Sequence, residues 1–127
     1  MRIFKTKWVA RFARRERIAD KSLSEAIERA ERGVIDADLG GGLIKQCVAR
    51  MGQGRSGGYR MIVAYRAKGR AVFLFGFAKS DRENIEPDEL TTVREIARDL
   101  LAANNEGLAR AIAEGELQEL SYDDEEA

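Results

Sequence analysis

Within one stretch, Gly40 to Lys79, six residues could together supply the parts for work on a phosphodiester. They are Lys45, Arg50, Arg55, Tyr59, Arg60 and Lys79. RNA can be cut without a metal when its own 2′-hydroxyl attacks the neighbouring phosphate and leaves a cyclic phosphate. That reaction needs a base for the 2′-OH, positive charge for the phosphorane and an acid for the departing 5′-oxygen. Arginine suits the charge role, because its planar fork holds two phosphate oxygens at once. A lysine crowded by other cations can titrate low enough to serve as a base. Tyrosine can donate a proton, orient a group or stack on a base. The connection from Arg50 to Tyr59 adds four glycines, two arginines and no acid. Glycine lets a backbone approach a polyanion closely. The bland alternative for the same residues is a basic sheet edge that keeps the chain in solution.

Other chemistries are closed off by composition. The 127 residues contain no histidine and a single cysteine, Cys47. An imidazole base and a Ser-His-Asp or Cys-His site are therefore impossible, and a structural zinc site is disfavoured. Gly52-Gln-Gly-Arg-Ser-Gly-Gly lacks the Gly-Lys-Ser/Thr ending of a nucleotide-binding loop and joins two predicted strands. No cofactor and no metal are expected. The formal charge is zero, but it divides unevenly. Residues 1–82 hold 19 Lys and Arg against 8 Asp and Glu, a net of +11, and residues 83–127 hold 3 against 14, a net of −11. A basic body suits a polyanion, and an acidic end either masks that surface or is simply solvated. A membrane span needs roughly 20 apolar residues, and no run approaches that. With no signal-peptide core and one cysteine, a cytoplasmic protein that avoids membranes is expected.

The elements that must position these residues read as one domain over 1–120, followed by an acidic, disordered tail over 121–127. Residues 1–5 suit a strand. Thr6 caps a helix with Trp8, Val9, Phe12 and Ala13 on its core stripe. A break at Asp20-Lys21 precedes a capping box at Ser22 to Glu25 and a second helix with Leu23, Ala26, Ile27 and Ala30 inward, stopped at Gly33. A connector over 34–39 leads to three apolar strands over 43–49, 61–65 and 71–78. Ala67 to Arg70 is a hairpin signal. Phe73, Phe75 and Phe77 should share one face of the last strand, which is apolar on both faces and hence central in its sheet. Pro87 opens a third helix with Leu90, Val93, Ile96, Ala97 and Leu100 inward. Asn104-Asn105 ends it, and a short helix over 108–114 stops at Gly115. Cys47 reads as a small buried apolar residue, and Tyr59 as either loop packing or an RNA contact.

The segments GGGLIKQCVARMGQGRSGGYRMIVAYR and FLFGFAKSDRENI, the latter followed by a helix, resemble the RelE/HigB branch of type II toxin–antitoxin toxins. The most specific features are Lys45-x-x-Val48-Ala49, the glycine-rich basic loop ending at Arg60, and Phe77-Ala78-Lys79. The resemblance implies an α+β, RelE-like fold: a small antiparallel or mixed sheet, two N-terminal helices on one face, and C-terminal helices. It implies a ribosome-dependent endoribonuclease that cuts mRNA, and a cognate antitoxin, often a helix-turn-helix protein, that blocks it. By motif position, Lys45, Arg60 and Lys79 would be catalytic, and Arg50, Arg55 and Tyr59 would bind RNA. Cys47 stands where related chains usually carry a basic residue. A ParE-like inhibitor of DNA gyrase and a non-catalytic RNA-binding or regulatory protein are the alternatives on the same fold.

Overall fold

The structure, a computed structural model, describes residues 1–50 and 54–120, and for Arg50 and residues 54–56 the backbone alone. The expected tail, 121–127, lies outside the described residues. Six strands form one mixed sheet in the order β2-β3-β4-β5-β1-β6. They are β1 (Arg2–Thr6), β2 (Ala37–Gly40), β3 (Leu43–Arg50), β4 (Gly54–Arg66), β5 (Arg70–Ala78) and β6 (Leu117–Glu119). Only β1 and β5 run parallel; every other neighbouring pair is antiparallel.

Helices α1 (Lys7–Glu16) and α2 (Asp20–Glu31) cover one face of the sheet. Val9, Phe12, Leu23 and Ile27 pack there against Ile44, Val48, Met61 and Val63. Helices α3 (Pro87–Ala102) and α4 (Asn105–Ala113) cover part of the other face. There Val93, Ala97 and Leu108 meet Leu43, Ile62, Ala64 and Val72. No helix of the described residues is long and apolar enough to cross a membrane.

Several local expectations hold for identifiable reasons. Thr6 Oγ1 accepts the Val9 N–H at 3.2 Å and starts α1. Pro87 opens α3, and Glu89 accepts the Glu86 N–H at 2.9 Å. α3 stops at Ala102, just before Asn104, which caps α4 by accepting from the Gly107 N–H at 2.8 Å, so that α4 begins at Asn105 rather than at 108. Gly33 and Gly115, at φ +86 and +79, follow α2 and α4 where the chain must turn left-handed.

Others are corrected. Asp20 and Lys21 do not separate the first two helices; they begin α2, and the break lies at Arg17, in the left-handed region at φ 60. Ser22 is therefore inside α2 rather than capping it. The connector over 34–39 contains the edge strand β2, and the acidic end contributes β6, whose Leu117 and Glu119 pair with Thr6 and Phe4. Both are short edge strands with little apolar alternation to announce them. The core stripes are also narrower than expected: Trp8 is 39% exposed and Ile96 41%. Finally, Phe73 does not share a face with Phe75 and Phe77. The register of β4 against β5 shifts between Ile62–Phe75 and Val63–Phe73, a bulge that reverses the alternation. Phe73 joins the α1/α2 core, while Phe75 and Phe77 face the α3 side.

Two clasps hold the sheet to its helices at the β4–β5 hairpin. Arg66 and Arg70 donate to carbonyl oxygens at the C-terminal end of α3, to Leu101 at 2.8 Å and to Leu100 and Ala103 at 2.7 and 2.8 Å. Positive charge at a helix C-terminus also complements the helix dipole. On the opposite face, Glu31 at the end of α2 accepts from the Tyr65 hydroxyl and from the Lys68 N–H. Lys68 sits at φ 59, a conformation the tight turn imposes.

Candidate nucleic-acid interface

The face of β3 and β4 that α3 leaves partly exposed carries the candidate chemistry. Along β3, Leu43, Lys45 and Cys47 point to one face, and Ile44, Gln46 and Val48 to the other. Cys47 pairs with Arg60, and Lys45 pairs with Ile62. Lys45 is thus the diagonal neighbour of Arg60 on the same face, with Cβ atoms about 7–8 Å apart, within reach of two long side chains. On its other side Arg60 pairs with Phe77. Lys45, Cys47 and Arg60 are all partly buried.

The charges of this face are not neutralised. Neither Lys45 nor Arg60 forms an ion pair among the described residues. Lys45 Nζ reaches the Asn84 side-chain oxygen at 3.5 Å. Arg60 Nε is buried with no hydrogen-bond partner. A buried donor left unmatched is costly, and such groups usually find a partner. An anion bound on this face would supply one.

The backbone beneath the face is fixed from the edge. β2 pairs with β3 only as far as Lys45. Beyond it, Arg29 donates to the Cys47 carbonyl at 2.6 Å, and the Cys47 N–H donates to Asp36 at 2.7 Å. Gln46, between the two site residues, is fully buried on the opposite face. Its side chain donates to Ala26 O at 2.9 Å and Val34 O at 3.1 Å and accepts from the Asp36 N–H at 2.8 Å. One side chain thereby ties α2, the α2–β2 connector and β3 together.

Lys79 follows β5 and donates its backbone N–H to Gly58 O at 3.0 Å, beside the start of the Tyr59–Ala78 pairing. Its backbone therefore lies beside Gly58, two residues from Arg60 along β4. Arg50 and Arg55 belong to β3 and β4, with Arg50 paired to Gly54, and their side chains lie outside the described residues. Arg60 does not end a loop as expected: β4 begins at Gly54, so Arg60 stands mid-strand opposite Cys47.

Tyr59 is not on this face. It is 1% exposed, packs edge-on against Phe12 at 5.7 Å and donates its hydroxyl to Glu16 at 3.0 Å. Alternation along β4 sends it to the α1 side while Arg60 goes to the other, so an RNA contact by its ring is corrected to a core role. Cys47 is corrected in the opposite sense: it is only half-buried and shares the cationic face. Arg82 is an addition. Its guanidinium lies 4.8 Å from the Phe77 ring and 5.3 Å from the Phe75 ring, and pairs with Glu89 at 2.8 and 3.2 Å. The Glu89 carboxylate raises the Arg82 pKa, and Arg82 lowers that of Glu89. Nothing in its local sequence distinguishes Arg82 from a surface arginine; only the reversed alternation of β5 brings it here. Among the described residues no group of three or more His, Cys, Asp or Glu is arranged to hold a metal ion.

The mixed six-stranded sheet with helices on both faces is consistent with what a comparison with family models finds. A search of curated proteins returns no match to the chain. The family model described as the RelE toxin of the RelE/RelB toxin–antitoxin system matches residues 1–120, and the chain belongs to the RelE toxin family.

Proposed function

We propose that this toxin is an mRNA endoribonuclease that acts on the ribosome. The observation that carries the reading is the diagonal placement of Lys45 and Arg60 on one partly exposed face, neither with a carboxylate partner among the described residues, with the Arg60 Nε unmatched. The chemistry is transesterification. The 2′-hydroxyl gives up its proton, a bond forms from the 2′-oxygen to phosphorus, and the bond to the 5′-oxygen breaks. That oxygen takes a proton, leaving a 2′,3′-cyclic phosphate and a 5′-hydroxyl. Arg60 holds the non-bridging oxygens as charge builds on the phosphorane. Lys45 and Lys79 supply further charge and proton transfer, and Arg50 and Arg55 hold flanking phosphates. A toxin of this family implies an antitoxin partner; we assign that partner to the helix-turn-helix type of the HigB branch and the site of action to the cytoplasm.

Inducing the protein in cells and mapping mRNA 5′ ends tests the proposal. Codon-phased cuts that vanish in Lys45→Ala and Arg60→Ala support it. Intact mRNA with DNA-damage signalling would replace it with gyrase inhibition. Growth unaffected by the protein would leave a non-catalytic RNA-binding role, which the neutral Cys47 on the cationic face favours over gyrase inhibition.

A further inference from the structure

The only tryptophan of the chain is also one of its most exposed large apolar side chains. Its position follows from the topology. β1 pairs with β5 only as far as Lys5–Phe73, and the chain then turns into α1. Beyond Phe73 the β1 side of β5 has no strand beside it, and Trp8, in the first turn of α1, stands there instead. Its indole lies 5.3 Å from the Phe12 ring at 15° and 4.7 Å from the Phe75 ring at 38°. Phe75 lies 6.2 Å from Phe77, and Phe77 is the cross-strand partner of Arg60. An aromatic row therefore leads from the candidate scissile-phosphate site to an exposed indole, with Arg82 over its middle.

A tryptophan held in place by two rings and open on its outer side is a preorganised apolar surface with a polar N–H edge, the kind of side chain used at interfaces. The charges around it indicate the ligand. Lys7 directly precedes Trp8 and Arg11 follows it by one turn of α1, both exposed and without ion pairs among the described residues. Cations interleaved with an exposed aromatic suit single-stranded RNA, where bases stack and phosphates are held by charge. A purely apolar partner surface would not favour such cations.

We propose that Trp8 is a stacking platform for a nucleobase of single-stranded RNA, with Lys7 and Arg11 on its flanking phosphates and the Phe75–Phe77 row leading to Arg60. The inference deepens the ribonuclease reading and rests on it for the identity of the RNA. Trp8 is a positioning residue here: it sets where the strand lies and not how the bond breaks.

The lone indole makes its own probe. Its fluorescence is followed while a short single-stranded oligoribonucleotide with 2′-O-methyl riboses, which cannot be cleaved, is titrated at low salt. An abasic oligomer of the same length and charge is titrated in parallel. Saturable quenching by the first and not the second is expected. Followed instead by the anisotropy of a dye on the oligomer, since these variants lack the indole, Trp8→Leu should weaken binding about tenfold to a hundredfold, the range for losing one stacked base, and Trp8→Phe should recover most of it. Lys45→Ala should keep the quenching while losing cleavage. Equal quenching by the abasic oligomer, or no quenching by either, overturns the proposal. Quenching by an acidic polyglutamate peptide but not by RNA overturns it in favour of a protein partner. Cleavage of a ribosome-bound unmodified message that persists without quenching by the oligomer removes the stacking platform alone, and quenching by the oligomer without cleavage of that message removes the ribonuclease reading alone.

Discussion

Replacing Gln46 by leucine tests how the candidate site is held. The substitution puts in an apolar side chain one bond shorter and removes three hydrogen bonds, to Ala26 O, Val34 O and the Asp36 N–H. Ala26 lies inside α2, where its carbonyl already serves the helix, so losing its second bond costs little. Val34 O and the Asp36 N–H belong to a connector that depends on this side chain. A typical hydrogen bond contributes about 0.5–1.5 kcal/mol net, and leaving a buried partner unmatched costs about 1–3 kcal/mol. Part of the loss is offset by burying apolar in place of amide atoms, and water reaches the exposed side of Asp36. The expected net destabilisation is about 2–3 kcal/mol. For a chain of this size each kcal/mol moves Tm by about 3–5 °C, giving a fall of about 6–15 °C. Thermal and urea unfolding followed by far-ultraviolet circular dichroism measure it. A Tm within about 2 °C of the parent would mean that this buried amide does not tie α2 to β3, and the reasoning would fail.

Other outcomes follow from the same contacts. Burial and then the Glu31 carboxylate push the Tyr65 hydroxyl up to about 12, and that hydroxyl with the Lys68 N–H holds Glu31 below the usual carboxylate range. Stability from Tyr65 is thus full below about pH 10 and lost toward pH 12, while that from Glu31 is present above its ordinary pKa and lost as pH falls through the lowered one. Tyr65→Phe should flatten the alkaline limb of a plot of stability against pH and weaken the acid one; an unchanged profile contradicts the clasp. Arg70 donates to Leu100 and Ala103, and its desolvation lowers its pKa. Arg70→Leu should cost about 1.5–3 kcal/mol and speed amide hydrogen exchange in the last turn of α3 ahead of the sheet; uniform loss of protection would deny a local clamp. Cys47→Arg adds a cation opposite Arg60. RNA affinity should rise at low salt, with a slope against salt steeper by about one phosphate contact; no change in slope would place position 47 outside the RNA path.

The large elements were legible because their patterns are strong. Alternating β-branched and aromatic residues announce β3, β4 and β5, and Thr6, Pro87 and Gly115 mark helix ends by known chemistry. The short edges were not. β2 contains two exposed residues in four, and β6 has one buried residue in three, too few to show a period of two. The bulge in β5 was invisible because a run apolar on both sides looks the same in either register. Its consequence was the largest, since it takes Phe75 and Phe77 to the face of Arg60 and brings Arg82 over them. The site was legible by residue type more than by side. Lys45 and Arg60 were singled out by type and motif position, but their diagonal placement across β3 and β4 was not, and Tyr59, one residue from Arg60, had to point the other way. Gln46 was overlooked because a lone glutamine in a strand reads as solvent-facing until its three partners are seen.

Ribosomes programmed with a defined message, treated with the purified toxin, provide the most direct measurement. Metal-free attack by the 2′-hydroxyl predicts an upstream fragment ending in a 2′,3′-cyclic phosphate and a downstream fragment beginning with a 5′-hydroxyl. A single 2′-deoxy nucleotide at the cut should abolish cleavage there. Arg60→Ala should slow the reaction by about a hundredfold or more, the usual cost of losing one preorganised donor to the transition state. A cut that survives the 2′-deoxy substitution, a 5′-phosphate on the downstream fragment, or full-rate cleavage by a folded Arg60→Ala variant would contradict the Lys45–Arg60 face as the place where RNA is cut.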